Sequence, residues 1–246
     1  MKNILKGFAL AVSMLTTIPF FKVHNFYNGI NGYAVMFYPL VGFLLGVILY
    51  GVHTALDPYF ASTHLGVIIF VLWVLLTGAL HLDGFSDTID GLYVKKEKAL
   101  EVMKDPHTGG MGMIFSVSFL ILKASTLVVY NAFYLLPLVL MFGRFNAVLA
   151  IYYYPYVSPN GMSTLAKEEL KGFQVAVSFV YVVAICLIVT GFFKSLILLV
   201  SSLLAMLAIK TFFIKRYGGF TGDIYGFSIE VTELILLNII LVWIYV

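Results

Sequence analysis

The chain alternates long apolar runs with shorter polar stretches. Seven runs nearly free of charge lie at about 33–56, 65–82, 113–130, 135–154, 173–192, 196–213 and 229–246. Each is roughly twenty residues, enough for a helix to cross about 30 Å of hydrocarbon. A spanning β-barrel would instead show alternating segments of about ten residues. An eighth apolar stretch, 3–20, is shorter and ends at Pro19, so it predicts an interfacial or partly inserted helix. Lys2 and Lys6 give it a faint likeness to a signal peptide. No small-residue cleavage site follows Phe20, Phe21 and Lys22, so it is expected to stay on the chain. The pattern predicts an all-α integral membrane protein with about seven transmembrane helices plus this N-terminal helix, one domain over 1–246.

Composition agrees. The 246 residues are 61% apolar and 11% charged, against about half and a quarter in soluble domains. The mean hydropathy is +1.01. Membrane lipid is therefore the expected surround. The net charge of +3 is spread over loops rather than gathered in a block, which argues topology and excludes nucleic acid as a partner. The single cysteine, Cys186, lies in an apolar run and reads as an inert, packed thiol. Gly42 and Gly46 have the small-xxx-small spacing of close helix contact in lipid. Nothing in the pattern fixes an oligomeric state, and it leaves room for a homo-oligomer.

Three polar loops, 83–112, 155–172 and 215–227, fall on one side in a seven-span count. They hold Lys95, Lys96, Lys98, Lys104, Lys167, Lys171, Lys215 and Arg216, joined by Lys2, Lys6 and Lys22; the other side keeps Lys194. That asymmetry predicts a cytoplasmic (inner) membrane protein with these loops and the N-terminus in the cytoplasm and the C-terminus outside.

The run His81-Leu-Asp83-Gly-Phe-Ser-Asp87-Thr-Ile-Asp90-Gly91 carries the strongest chemistry. Continued as helix, Asp83, Asp87 and Asp90 at i, i+4 and i+7 share one face. Three such carboxylates repel one another, and Mg²⁺, which takes carboxylate oxygens together with substrate phosphates, would neutralise them. They abut an apolar span, where ionisable groups are costly, so a merely solvated acidic loop is the weaker reading. His81 has three open roles: ligand, proton acceptor or structural donor. Downstream, Lys104 and Asp105 precede Gly109 and Gly110, a glycine cluster whose amides could cradle an anion or simply form a turn. Near the last span, Asp223 follows Gly218, Gly219 and Gly222, with Glu230 and Glu233 one turn apart. Asp223 reads as a candidate ligand and the glutamates as site residues or as acids favoured near a helix N-terminus. Within apolar runs, Arg144 has the fork to bind phosphate bidentately, and Lys123 reads equally as a site residue or as the partner of an acid across the bundle.

Taken together, 81–91, Met103-Lys104-Asp105-Pro106, Lys123, Gly143-Arg144 and Gly218-Gly219-x-Thr221-Gly222-Asp223, with the earlier Leu15–Pro19 and Tyr38–Gly42, are similar to the cobalamin synthase family of adenosylcobinamide-GDP ribazoletransferases, in order along nearly the whole chain. The resemblance implies a Mg²⁺-dependent membrane transferase. Its substrates would be adenosylcobinamide-GDP and α-ribazole or α-ribazole 5′-phosphate, and GMP would depart. Rival readings are another metal-dependent intramembrane transferase, CDP-alcohol phosphotransferase-like or a prenyltransferase, and a cation transporter. The first lacks its Gly-x-x-Ala-Arg here, the second a second aspartate-rich motif, and the third mid-membrane acids in repeated halves.

Overall fold

A computed structural model describes residues 2–19, 27–158 and 163–245. Residues 20–22, 159–162 of the second polar loop and Val246 lie outside the described residues. The fold is helical: α1 Lys2–Leu15, α2 Ile30–Leu56, α3 Ser62–Thr77, α4 Leu80–Leu92, α5 Lys96–Val102, α6 Gly110–Val128, α7 Leu136–Tyr153, α8 Thr164–Glu169, α9 Gly172–Tyr217 and α10 Gly222–Tyr245. α2, α6, α7, α9 and α10 are each long and apolar enough to cross a bilayer.

α9 runs for 46 residues, about 69 Å if straight, more than twice the hydrocarbon thickness. It is not straight. At Gly191 the backbone leaves the helix (φ 72°, ψ −179°), a conformation side chains disfavour. Beyond it the chain comes back, because Phe179 packs its ring 6.1 Å from Phe145 while the Ser202 carbonyl accepts a 3.0 Å bond from Asn146, the next residue of α7. Twenty-three residues of continuous helix would hold those contacts about 35 Å apart. α9 thus supplies two antiparallel crossings, close to the expected 173–192 and 196–213.

The expected span 65–82 needs correction. Its helix stops at Thr77, and Gly78 (φ 59°) and Ala79 (φ 55°) turn the chain before α4 leaves at 84° to α3. The amides of Gly78 and Ala79 close back on Leu75 and Val74, and Thr17, just after α1, donates its amide to the Leu76 carbonyl at 2.8 Å. α4 therefore runs nearly at right angles to α3 rather than continuing it, and the expected loop 83–112 is largely helical.

The core is built on α7, whose side chains are buried almost throughout. Gly42 of α2 packs on the Leu140 carbonyl and Gly46 on Pro137, so the Gly42/Gly46 spacing does mark the α2–α7 contact. α1 packs on the start of α2: Gly7 against Tyr33, Phe8 against Phe37 at 5.5 Å, and Met14 under the Tyr38 hydroxyl. At 14 residues it is shorter than the roughly twenty that a full crossing needs.

Candidate active site

α4 carries the acidic motif and is pressed backbone-to-backbone on α10. A methyl at Gly84 would lie 2.9 Å from the Asp223 carbonyl oxygen, and one at Gly226 3.0 Å from the His81 carbonyl oxygen. Asp223 in the first turn of α10 thereby stands beside Asp83 and Asp87. Asp83 is exposed and Asp87 half-buried. Burial, followed by the charges of Asp83, Asp223 and Asp90, pushes the Asp87 carboxyl up to about 7. Lys104 stands near enough to Asp223 for its charge to act there. Asp223 also accepts a 3.2 Å bond from the Thr221 hydroxyl.

Asp90 faces elsewhere. It is 8% exposed; one carboxylate oxygen accepts the Gly109 amide and the other the Gly112 amide, both at 2.7 Å. Two amides of the expected anion cradle are thus already used, while Gly110 stands open with nothing within 4 Å of a would-be methyl. Asp105 turns to its own loop, accepting the His107 amide at 3.0 Å and contacting the His107 ring at 2.7 Å on the surface.

Beneath α4 lies a closed ionic group. Lys123 Nζ donates to Glu230 and to Glu233 at 2.7 Å each, 4.0 Å over the Trp73 ring. Arg144, fully buried, donates to Glu233 and to the Leu140 carbonyl, with His81 Nδ1 at 3.5 Å. Arg144 therefore does not sit where it was expected: its guanidinium is enclosed and its charge is met by Glu233, so it presents no fork to a phosphate. Lys123 and Glu230 form an internal pair. His81 is buried with them, and its Nε2 and the Arg144 Nε have no hydrogen-bond partner among the described residues.

The polar loops meet above α4. The Arg216 guanidinium donates to the Leu92 carbonyl at 2.8 Å and the Val94 carbonyl at 3.3 Å, and the Tyr217 hydroxyl to the Gly91 carbonyl at 3.0 Å. A parallel bridge pairs Tyr156 with Phe220. Among the described residues no three His, Cys, Asp or Glu side chains converge on one point as a ready metal site.

Residues 7–241 match the family described as cobalamin-5-phosphate synthase. The chain belongs to that family. It is 36% identical over 233 residues to an adenosylcobinamide-GDP ribazoletransferase of Desulforamulus reducens, covering 91% of each chain. It is 32% identical over 246 residues to the protein of that name from Pseudomonas aeruginosa, covering 95% of this chain and 96% of the other. The Acinetobacter baumannii (strain ACICU) relative of the same name is 33% identical over 223 residues. No solved structure matches.

For this cobalamin-5-phosphate synthase family member, sequence reasoning put Asp83, Asp87, Asp90, Lys104 and Asp223 on one face; the structure stands Asp83, Asp87 and Asp223 side by side, held by residues that the sequence did not point to. Arg216 and Tyr217 clamp the C-terminal end of α4. A cation closing helix carbonyls is a known device, yet Arg216 serves a helix 124 positions earlier, and nothing local signals that.

Proposed function

We propose that this chain is a Mg²⁺-dependent adenosylcobinamide-GDP ribazoletransferase of the cytoplasmic membrane. The hydroxyl of α-ribazole, or of its 5′-phosphate, forms a new P–O bond to the cobinamide-linked phosphorus as the bond to GMP breaks. The hydroxyl proton passes to a carboxylate or to water. The observation that carries this reading is the α4–α10 contact at Gly84 and Gly226, which gathers Asp83, Asp87 and Asp223 at the membrane face with Lys104 beside them.

This donor set fits Mg²⁺. The ion is usually held by one or two carboxylates, water and substrate phosphates rather than a full protein cage, which suits a cluster with no closed three-residue site. The crowding that raises Asp87 is relieved by a cation. Asp83, Asp87 and Asp223 would hold it; bound, it would offset charge on the phosphates. Lys104 would meet the same phosphates as a point charge. The exposed helical face lets both large, soluble substrates approach from the cytoplasm.

Purified protein given adenosylcobinamide-GDP, α-ribazole 5′-phosphate and Mg²⁺ should release GMP. EDTA and Asp87→Asn should each stop release. Absence of GMP from folded wild-type protein would overturn the reading.

A further inference from the structure

Three carboxylates spaced at i, i+4 and i+7 invite one shared role, but their surroundings divide them. Asp83 and Asp87 accept no hydrogen bond among the described residues, whereas Asp90 is buried with an amide on each oxygen. The two donors are the N-cap residue and the third residue of α6, the amides a helix start leaves unsatisfied. A carboxylate there is favoured by both charge-assisted bonding and the helix dipole. A methyl on Gly109 or Gly112 would meet the Asp90 carboxylate and force it to move off its two amides. The same segment is pinned at its other end by Met103, buried against Gly91 and Ala99. Lys104 sits between the two anchors and near Asp223.

We infer that Asp90 is a positioning residue: it locks the 103–112 segment onto α4 so that Lys104 is held on the Asp223 side of the carboxylates, and it is not a ligand of the cation. Its kinetic consequence rests on the function proposed above, but its structural one does not. With the lock intact, Lys104 meets the incoming diphosphate without first ordering its loop, so the lock lowers the cost of binding that substrate.

Two readouts separate positioning from ligation, Mn²⁺ binding followed by electron paramagnetic resonance in detergent without substrate, and amide hydrogen exchange of the 105–113 peptide. Asp90→Asn should keep wild-type Mn²⁺ affinity within about twofold and speed exchange about tenfold, the equivalent of about 1.4 kcal/mol of lost hydrogen bonding. It should raise KM for adenosylcobinamide-GDP more than it lowers kcat. Asp87→Asn should do the reverse, losing Mn²⁺ and leaving exchange unchanged. Gly112→Ala should reproduce the Asp90→Asn pattern, and the double variant should be no worse than either alone, since both break one contact. Mn²⁺ affinity falling as far in Asp90→Asn as in Asp87→Asn, or exchange unchanged in Asp90→Asn, overturns the inference. A wild-type protein that binds Mn²⁺ but releases no GMP defeats the proposed reaction and leaves both readouts on Asp90 standing.

Discussion

Lys123, Arg144, Glu230 and Glu233 are two cations and two anions sealed inside an apolar bundle, so each charge is tolerable only because the others are present. Removing one partner of a buried ion pair costs about 3–5 kcal/mol because the remaining charge is left uncompensated. Lys123→Met should therefore lower the thermal unfolding midpoint in detergent strongly. Adding Glu230→Gln should recover part of the loss, because the Arg144–Glu233 pair then balances itself. No recovery in the double variant would mean that Lys123 stabilises through its packing on Trp73 rather than through charge. The sequence carried half of this group: a Lys and an Arg within apolar runs demand anionic partners. The identity of the partners was not legible, since Glu230 lies 107 positions from Lys123 and near a helix start, where acids are favoured anyway. Arg144 was misplaced for the same reason. Its fork suits a phosphate as well as a glutamate, and only packing decides which it meets.

At the scale of elements, the site depends on how closely α4 can approach α10. Gly84→Ala inserts a methyl 2.9 Å from the Asp223 carbonyl oxygen, and backbone on both sides leaves no flexible group to yield. The helices must part by a few tenths of an ångström, which shifts Asp83 and Asp87 relative to Asp223. GMP release should fall about tenfold or more, a barrier increase of about 1.4 kcal/mol, with the fold retained. Gly51→Ala is the control: nothing lies within 4 Å of its methyl, and alanine gains about 0.5–1 kcal/mol in a helix interior. Equal activity in both variants would show that the site does not depend on the α4–α10 contact. Most spans were legible because a twenty-residue apolar run has few alternatives in lipid. The turn at Gly78 and Ala79 was not, because hydropathy runs unbroken to Leu82 and neither residue is a strong stop. Asp83 and Asp87 stand together as their spacing implies, whereas Asp90 turns to the start of α6, all three on a helix that departs at 84° rather than continuing the span.

For the molecule as a whole, the three long polar loops were expected on one face, and their contacts bring them together. Tyr156 pairs with Phe220, joining the second loop to the third; Arg216 and Tyr217 reach Leu92, Val94 and Gly91, joining the third to the first. At the opposite end, His53 in the last turn of α2 stacks on Phe133, just before α7, at 3.9 Å. Which face meets the cytoplasm is a question of charge, and Lys95, Lys96, Lys98, Lys104, Lys167, Lys171, Lys215 and Arg216 all lie on the face that carries Asp83, Asp87 and Asp223. Lysine and arginine near span ends favour the cytoplasmic side, the compartment that supplies nucleotide-activated substrates to the proposed reaction. The test uses single cysteines at the exposed positions Thr63, Lys98 and Glu168 in a Cys186→Ser background; Cys186 is buried. Labelled in intact cells with a membrane-impermeant thiol reagent, the Thr63 variant alone should react, and all three should react after permeabilisation. Labelling of the Lys98 and Glu168 variants in intact cells, with the Thr63 variant protected, would invert the bundle and leave the acidic helix facing away from its proposed substrates.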